Sequence, residues 1–186
     1  MEIALSVLIG IGLAAACGFR VFVPFLVVSI AAMSGHLTLA PGFEWMGTYY
    51  ALVAFALATL LEVAAYYVPW LDNLLDTIAT PAAVVAGAVI TASVVGEVSP
   101  FLRWTLAVIA GGGTAAAVQA ATVALRGTSS VTTGGVANPV VSTGELGGSA
   151  VVATLAVVLP VAAVVLVALL SAFLVRLRRW SRRSSC

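Results

Sequence analysis

The residues best suited to chemistry in this chain are ionisable side chains inside apolar stretches. Arg20 lies in the middle of the apolar run 3–33, and Glu62 lies within the run 49–68. A charge at the centre of a membrane helix is costly, so such residues normally face a protein interior or a wet cavity. Together the two side chains could neutralise one another. They predict a polar centre that either braces the first two spans or lines a hydrophilic path in which Glu62 binds a proton or cation.

A second group of carboxylates comes later in the chain. Asp72 and Asp76 are at positions i and i+4 of the segment 69–76. If this segment is helical, they share a face and could hold a cation or a magnesium-bound phosphate. They could equally cap the third span, because acidic groups near a helix start interact favourably with its positive dipole end. We assign capping to one of them, leave the other open, and do not expect both to be metal ligands.

The longest polar stretch, 126–149, is rich in Gly, Ser and Thr and contains Asn138-Pro139 and Glu145. By composition it is an ordinary flexible loop. The alternative is irregular backbone packed into the protein, which a membrane tolerates where that backbone lines a cavity.

No catalytic set can be assembled from the sequence. His36 is the only histidine and lies in a loop beside no candidate nucleophile, so a Ser/His/Asp or Cys/His arrangement is not convincing. Cys17 lies in an apolar run and Cys186 is the last residue, which favours two free thiols over a disulfide framework. We therefore expect no enzyme activity, no metal site and no cofactor.

The elements that must position these side chains are membrane helices. Hydrophobic residues make up 62% of the chain and charged residues 8%, with a mean hydropathy of +1.19. A soluble domain carries about 25% charged residues. With 186 residues and a net charge of +1, we expect one all-α domain in a lipid bilayer and no nucleic-acid partner.

Five stretches are long enough to supply a spanning helix of roughly 20 residues. They are 3–33, 49–68, 79–98, 101–125 and 150–175. The first is too long for one straight crossing, because it would extend about 46 Å against a hydrocarbon core of about 30 Å. Gly18 and Pro24 flank Arg20, so we expect a break there, as a broken helix or a re-entrant hairpin. The prediction is a bundle of about five spans with a broken first helix.

The C-terminal tail predicts the orientation. Its five arginines follow the last span directly: Arg176, Arg178, Arg179, Arg182 and Arg183. Basic residues beside a span end mark the cytoplasmic side. We therefore expect a transmembrane domain, 1–175, in the inner (plasma) membrane and a basic cytoplasmic tail, 176–186. Five crossings place Met1 outside, and an extra pass reverses it. Gly10, Ala14 and Gly18 recur at a spacing that predicts tight packing within the bundle or between subunits of a homo-oligomer.

Three short motifs surround the polar residues. They are Gly18-Phe19-Arg20 with Phe22 and Pro24, Glu62 followed by Pro69-Trp70-Leu71-Asp72-Asn73, and Asn138-Pro139 with Ser142 and Glu145. With these motifs the chain resembles a family of conserved bacterial integral membrane proteins of unknown function, over nearly its whole length up to the tail. The resemblance implies a small polytopic membrane protein and no established substrate. It also implies that Asn138 and Glu145 belong with Arg20 and Glu62.

We expect a small transporter or channel for an ion or small solute. A broken helix and a polar connection before the last span recur where transporter helices unwind to bind substrate. The predicted polar lining is Arg20, Glu62, Asp72, Asn73, Asn138 and Glu145. The alternative is a membrane scaffold or assembly protein with no path. A lipid-headgroup enzyme is a weaker alternative, because such metal sites gather several aspartates and this chain contains only Asp72 and Asp76.

Overall fold

The computed structural model describes residues 2–66, 69–134 and 136–169, with the backbone alone over 69–77. The side chains of Asp72, Asn73 and Asp76, and the predicted boundary before the tail 176–186, lie outside this description. Over the described residues the predicted all-α class is confirmed, because they form helices and no strands. Those helices are α1 (Glu2–Cys17), α2 (Phe22–Met33), α3 (Tyr49–Tyr66), α4 (Pro69–Val94), α5 (Pro100–Leu106), α6 (Gly113–Thr133), α7 (Asn138–Val158) and α8 (Pro160–Leu169).

Two further segments connect these helices. A 3-10 turn, Glu44–Gly47, precedes α3, and a π-helical segment, Ala107–Gly112, joins α5 to α6 without a break. The segment 69–76, which holds the two aspartates, is helical backbone at the start of α4.

Helices α1 and α2 double back on one another as a hairpin. Midway along its length, α1 contacts the last turn of α4, where Thr91 Oγ1 donates a hydrogen bond to the carbonyl of Gly10 at 3.1 Å. The segment after α2 returns to the same end of α4, where the Ala40 N–H donates to the carbonyl of Ser93 at 2.7 Å. The turn between the two helices, 18–21, therefore lies deep in the bundle. Of the two forms predicted for the first apolar run, the structure shows the hairpin.

The break falls at Gly18 because α1 there crosses α6 at close range. A Cβ atom on Gly18 would lie 2.5 Å from Cβ of Val118 and 2.7 Å from the carbonyl oxygen of Ala115. Only glycine fits such an approach. Pro24 lies in the first turn of α2, where its missing N–H leaves no helix hydrogen bond unmade.

Three helices are long and apolar enough to span a membrane: α3, the continuous helix Pro100–Thr133, and α7. Leu61 and Ile109 on the first two are each 71% exposed, as expected for side chains that face lipid and not water. These features suggest a membrane location. The predicted count of five spans is not confirmed, because α1 and α2 are each too short to cross a hydrocarbon core of about 30 Å.

One end of the bundle carries exposed aromatic side chains. This aromatic end consists of Trp45, Tyr49, Tyr50, Phe101 and Trp104. The amphipathic rings of Trp and Tyr favour the headgroup level of a bilayer. The start of α3, the start of α5 and the end of α4 all lie at this end.

Most of the stretch 126–149 is helical. Helix α6 continues to Thr133 and α7 begins at Asn138, so both predicted forms, a flexible loop and irregular packed backbone, are wrong. Threonine hydroxyls in this stretch donate to carbonyls one helical turn earlier. Thr128 donates to the carbonyl of Ala124 at 2.9 Å, and Thr132 donates to the carbonyl of Thr128 at 2.8 Å. Hydroxyls bonded in this way are compatible with a continuous helix.

Candidate functional site

Arg20 lies in the hairpin turn and is 1% exposed. Its Nη2 donates to the carbonyl of Ser142 at 3.0 Å and also to Ser142 Oγ. The same nitrogen lies 3.4 Å from Oε2 of Glu145. The hairpin turn is therefore tied to two residues on one face of α7.

A second arginine, Arg126 on α6, holds the same carboxylate. Its Nε donates to Oε1 of Glu145 at 3.0 Å, and its Nη2 donates to Oε2. Both side chains are nearly fully buried. Two parallel hydrogen bonds of this kind form the strongest common arginine–carboxylate geometry. Glu145 thus lies between two arginines and joins the hairpin turn to α6.

Tyr66, the last residue of α3, packs against both arginines. The Cζ atom of Arg20 lies 3.9 Å from the centroid of the Tyr66 ring, and the Cζ atom of Arg126 lies 4.0 Å from it. A cation over an aromatic face gains more when the pair is desolvated, and Tyr66 is buried. We call Arg20, Tyr66, Arg126, Ser142 and Glu145 the arginine centre.

Glu62, one turn before Tyr66 on α3, has a different partner from the one predicted. Its Oε1 accepts from the N–H of Val21 at 2.8 Å, and its Oε2 accepts from the N–H of Phe22 at 3.0 Å. The carboxylate therefore caps the start of α2. Among the described residues, the carboxylate in ion-pair contact with Arg20 is Glu145 and not Glu62. Arg20 Nη2 contacts α7, whereas the backbone N–H groups of the next two residues, Val21 and Phe22, donate to Glu62 on α3.

The predicted site residues separate into groups. The structure brings Arg20 and Glu145 into ion-pair contact and Glu62 beside them. Asn138 lies one turn before Ser142 and donates from Nδ2 to Ser130 Oγ at 3.1 Å, which ties the start of α7 to α6. The side chains of Asp72 and Asn73 lie outside the described part of the chain.

The sequence reading missed Arg126 and Tyr66. Composition places Arg126 at the start of a polar loop, although the same residues carry a helical signal. Gln119, Thr122 and Arg126 are buried along one face of α6 at positions i, i+3 and i+7. Ser142, Glu145 and Ser149 repeat this spacing on α7. Two polar stripes at helical spacing predict two helices that face each other through polar side chains.

The fold and the site define a helical protein with potential membrane spans and a buried arginine centre where a helical hairpin meets three longer helices. The chain matches the family model described as Domain of unknown function (DUF4126) over residues 7–180, and it belongs to that family. The expected relation to a family of unknown function is thereby confirmed. No curated protein and no solved structure matches the chain.

Proposed function

We propose that this protein is a small transporter or channel that passes an ion or small polar solute across the inner membrane by way of the arginine centre. The observation that carries the proposal is the α1–α2 hairpin. It ends one short helix and begins another beside a buried charge. Interrupted helices whose ends meet near the middle of the membrane are the usual binding elements of transporters.

The arginine centre contains one contact that can exchange more easily than the others. Arg126 holds Glu145 through two hydrogen bonds, whereas Arg20 approaches Glu145 only as an ion pair at 3.4 Å. Arg20 is therefore the member that can change partners at the lower cost. A solute that enters beside the hairpin turn would meet this side chain.

The antiparallel order of the helices supports a topology that differs from five spans. Helices α3, α4, α5–α6 and α7–α8 would each cross, and the hairpin would enter and leave at the aromatic end. Both chain termini then lie on one side. The arginine-rich tail makes that side cytoplasmic by the positive-inside rule, so Met1 is also cytoplasmic.

Flux across proteoliposomes made with the purified full-length chain tests the proposal. We expect the wild type to pass at least one member of a panel of inorganic ions and small solutes. Glu145→Gln removes the charge between the two arginines, and we expect it to change that flux about tenfold or more. The matched control is Glu44→Gln, because Glu44 is exposed at the other end of the bundle.

A scaffold with no path is the second candidate, and the ties between elements favour it. Ser149 Oγ donates to the carbonyl of Ala16 at 2.9 Å, so α7 also braces α1 through a buried bond. If the arginine centre only holds the helices together, Glu145→Gln should lower the stability of the protein and change nothing else. Absence of flux for every tested ion and solute in folded wild-type protein would favour the scaffold.

A further inference from the structure

The start of α2 is an anion site that the chain fills with its own carboxylate. The first N–H groups of a helix have no partner within the helix, and the helix dipole favours negative charge there. Val21, the N-cap of this helix of 12 residues, makes no side-chain cap of its own. Glu62 supplies the acceptor from α3, through bonds of 2.8 and 3.0 Å.

Arg20, immediately before this helix start, has donors without acceptors. Its Nε and Nη1 make no hydrogen bond to any residue that the structure describes, although the side chain is 1% exposed. These two nitrogens carry most of the N–H donors of a guanidinium. Buried donors in folded proteins are nearly always paired, so among the described residues these two nitrogens lack the acceptor that such donors normally have.

Glu62 is the carboxylate that is held less firmly. Glu145 has two hydrogen bonds from Arg126 and an ion pair with Arg20. Glu62 has hydrogen bonds from two backbone N–H groups, and no described cation lies within ion-pair distance of it. An incoming anion would therefore displace Glu62 before it displaced Glu145.

We propose that the hairpin turn binds a small oxyanion, a carboxylate or phosphate group, which replaces Glu62 on the N–H groups of Val21 and Phe22 and accepts from the free N–H groups of Arg20. This inference rests on the proposed function and names its substrate class. A guanidinium beside a helix N-terminus suits an acceptor with several oxygens, because both donate fixed N–H groups to negative charge. A cation is a less suitable ligand, because the unpaired groups of Arg20 are hydrogen-bond donors.

Ligand-induced thermal stabilisation of the purified full-length chain in neutral detergent tests the inference. The probes are inorganic phosphate and acetate, with ionic strength matched by sodium chloride. We expect the unfolding midpoint to rise by about 5 to 10 °C when the probe is about a hundredfold above its Kd.

Glu62→Gln separates a displaceable carboxylate from a simple cap. With the competing charge removed, we expect the apparent Kd for phosphate to fall about tenfold, equivalent to about 1.4 kcal/mol. If Glu62 is only a helix cap, Glu62→Gln should lower the stability of the protein and leave the Kd for phosphate unchanged. The matched control is Glu44→Gln, because Glu44 Oε2 also accepts from a backbone N–H, that of Gly42 at 2.8 Å, but at an exposed turn.

Arg20→Lys keeps the positive charge and removes the planar fork, so we expect it to abolish the stabilisation by phosphate. The matched control is Arg103→Lys at the other end of the bundle, where Arg103 donates to the carbonyls of Pro41 and Gly96. This control should respond as the wild type does. If Arg20→Lys does not fold, the Glu62→Gln result decides.

Short-chain phosphatidylglycerol, compared with phosphatidylcholine, identifies the source of the oxyanion. Stabilisation by phosphate or acetate supports a soluble ligand, and stabilisation by phosphatidylglycerol alone supports a lipid headgroup. No stabilisation by any of these in wild type and Glu62→Gln, or an equal effect in Arg20→Lys, overturns the inference. Binding without flux would remove the transport proposal and leave the oxyanion site, whereas cation flux without oxyanion binding would do the reverse.

Discussion

At the residue scale, the main feature is that two arginines from different elements contact one carboxylate. Arg20 comes from the hairpin turn and Arg126 from α6, and both contact Glu145 on α7. In a low-dielectric interior, neither the carboxylate nor the arginines are stable alone. Removal of one partner from a buried ion pair typically costs about 3 to 5 kcal/mol, because the remaining charge is buried without compensation.

The Arg126–Glu145 pair gives the first prediction. Arg126→Met and Glu145→Leu should each lower the free energy of unfolding by about 3 kcal/mol or more. The double variant should lose less than the sum, since each single variant already breaks the same Arg126–Glu145 pair. Thermal or denaturant unfolding in detergent measures the three variants. Additive losses would contradict the direct pairing.

The second prediction compares the two carboxylates near Arg20. A double-mutant cycle of Arg20→Ala with Glu145→Ala should give a larger coupling free energy than a cycle of Arg20→Ala with Glu62→Ala. The reason is that Arg20 contacts Glu145 at 3.4 Å, whereas Glu62 bonds to backbone N–H groups. The same unfolding measurements decide it, and equal coupling in both cycles would argue against this assignment of partners.

The hairpin is the decisive feature at the element scale, and it depends on close packing of small residues. α1 is buried over its second half, where Leu13 to Cys17 have no exposed surface. At Gly12, an added Cβ would lie 2.7 Å from Cβ of Ala156 on α7. Small residues at such contacts let helix backbones approach one another closely.

Gly18 gives the third prediction. Gly18→Ala should destabilise the protein by about 1 to 3 kcal/mol, because the new methyl group meets the backbone carbonyl of Ala115 and the branched side chain of Val118. Thermal unfolding in detergent measures the loss. The control is Gly113→Ala at the start of α6, where an added Cβ meets no atom within 4 Å. That change should be neutral or stabilising by up to about 1 kcal/mol. Equal effects at the two glycines would exclude close packing as the cause.

At the scale of the whole molecule, the number of membrane crossings decides on which side each terminus lies. Three helices are long and apolar enough to span, and a hairpin of two shorter helices stands beside them. An even number of crossings puts both termini on one side of the membrane. An odd number separates them.

The fourth prediction is that both termini are cytoplasmic. Reporter fusions at Met1 and at Cys186, with a phosphatase active only outside and a fluorescent protein active only inside, should both report the cytoplasm. Replacement of the five tail arginines should weaken or reverse this orientation, because these charges set it. Termini on opposite sides would show that the hairpin crosses the membrane or that another helix does not.

The sequence by itself determined the helical class, the apolar surface and the place of the break in the first run. These follow from composition and from local chemistry at Gly18 and Pro24, which act over a few residues. It also indicated that Arg20 and Glu62 share a polar centre, since isolated charges are costly in an apolar bundle, and the family resemblance implied that Glu145 belongs with them.

Only the tertiary structure decided which charges meet. Whether Arg20 pairs with Glu62 or with Glu145 depends on how the turn 18–21 packs in the bundle, and this turn begins at Gly18, where α1 packs closely against α6. The stretch 126–149 shows the same limit. Its Ser, Thr and Gly residues favour a loop locally, but Arg126 and Glu145 are paired across two helices. Pairing between distant parts of the chain outweighs the local conformational preference of these residues. Such pairing does not follow from sequence patterns that extend over only a few residues.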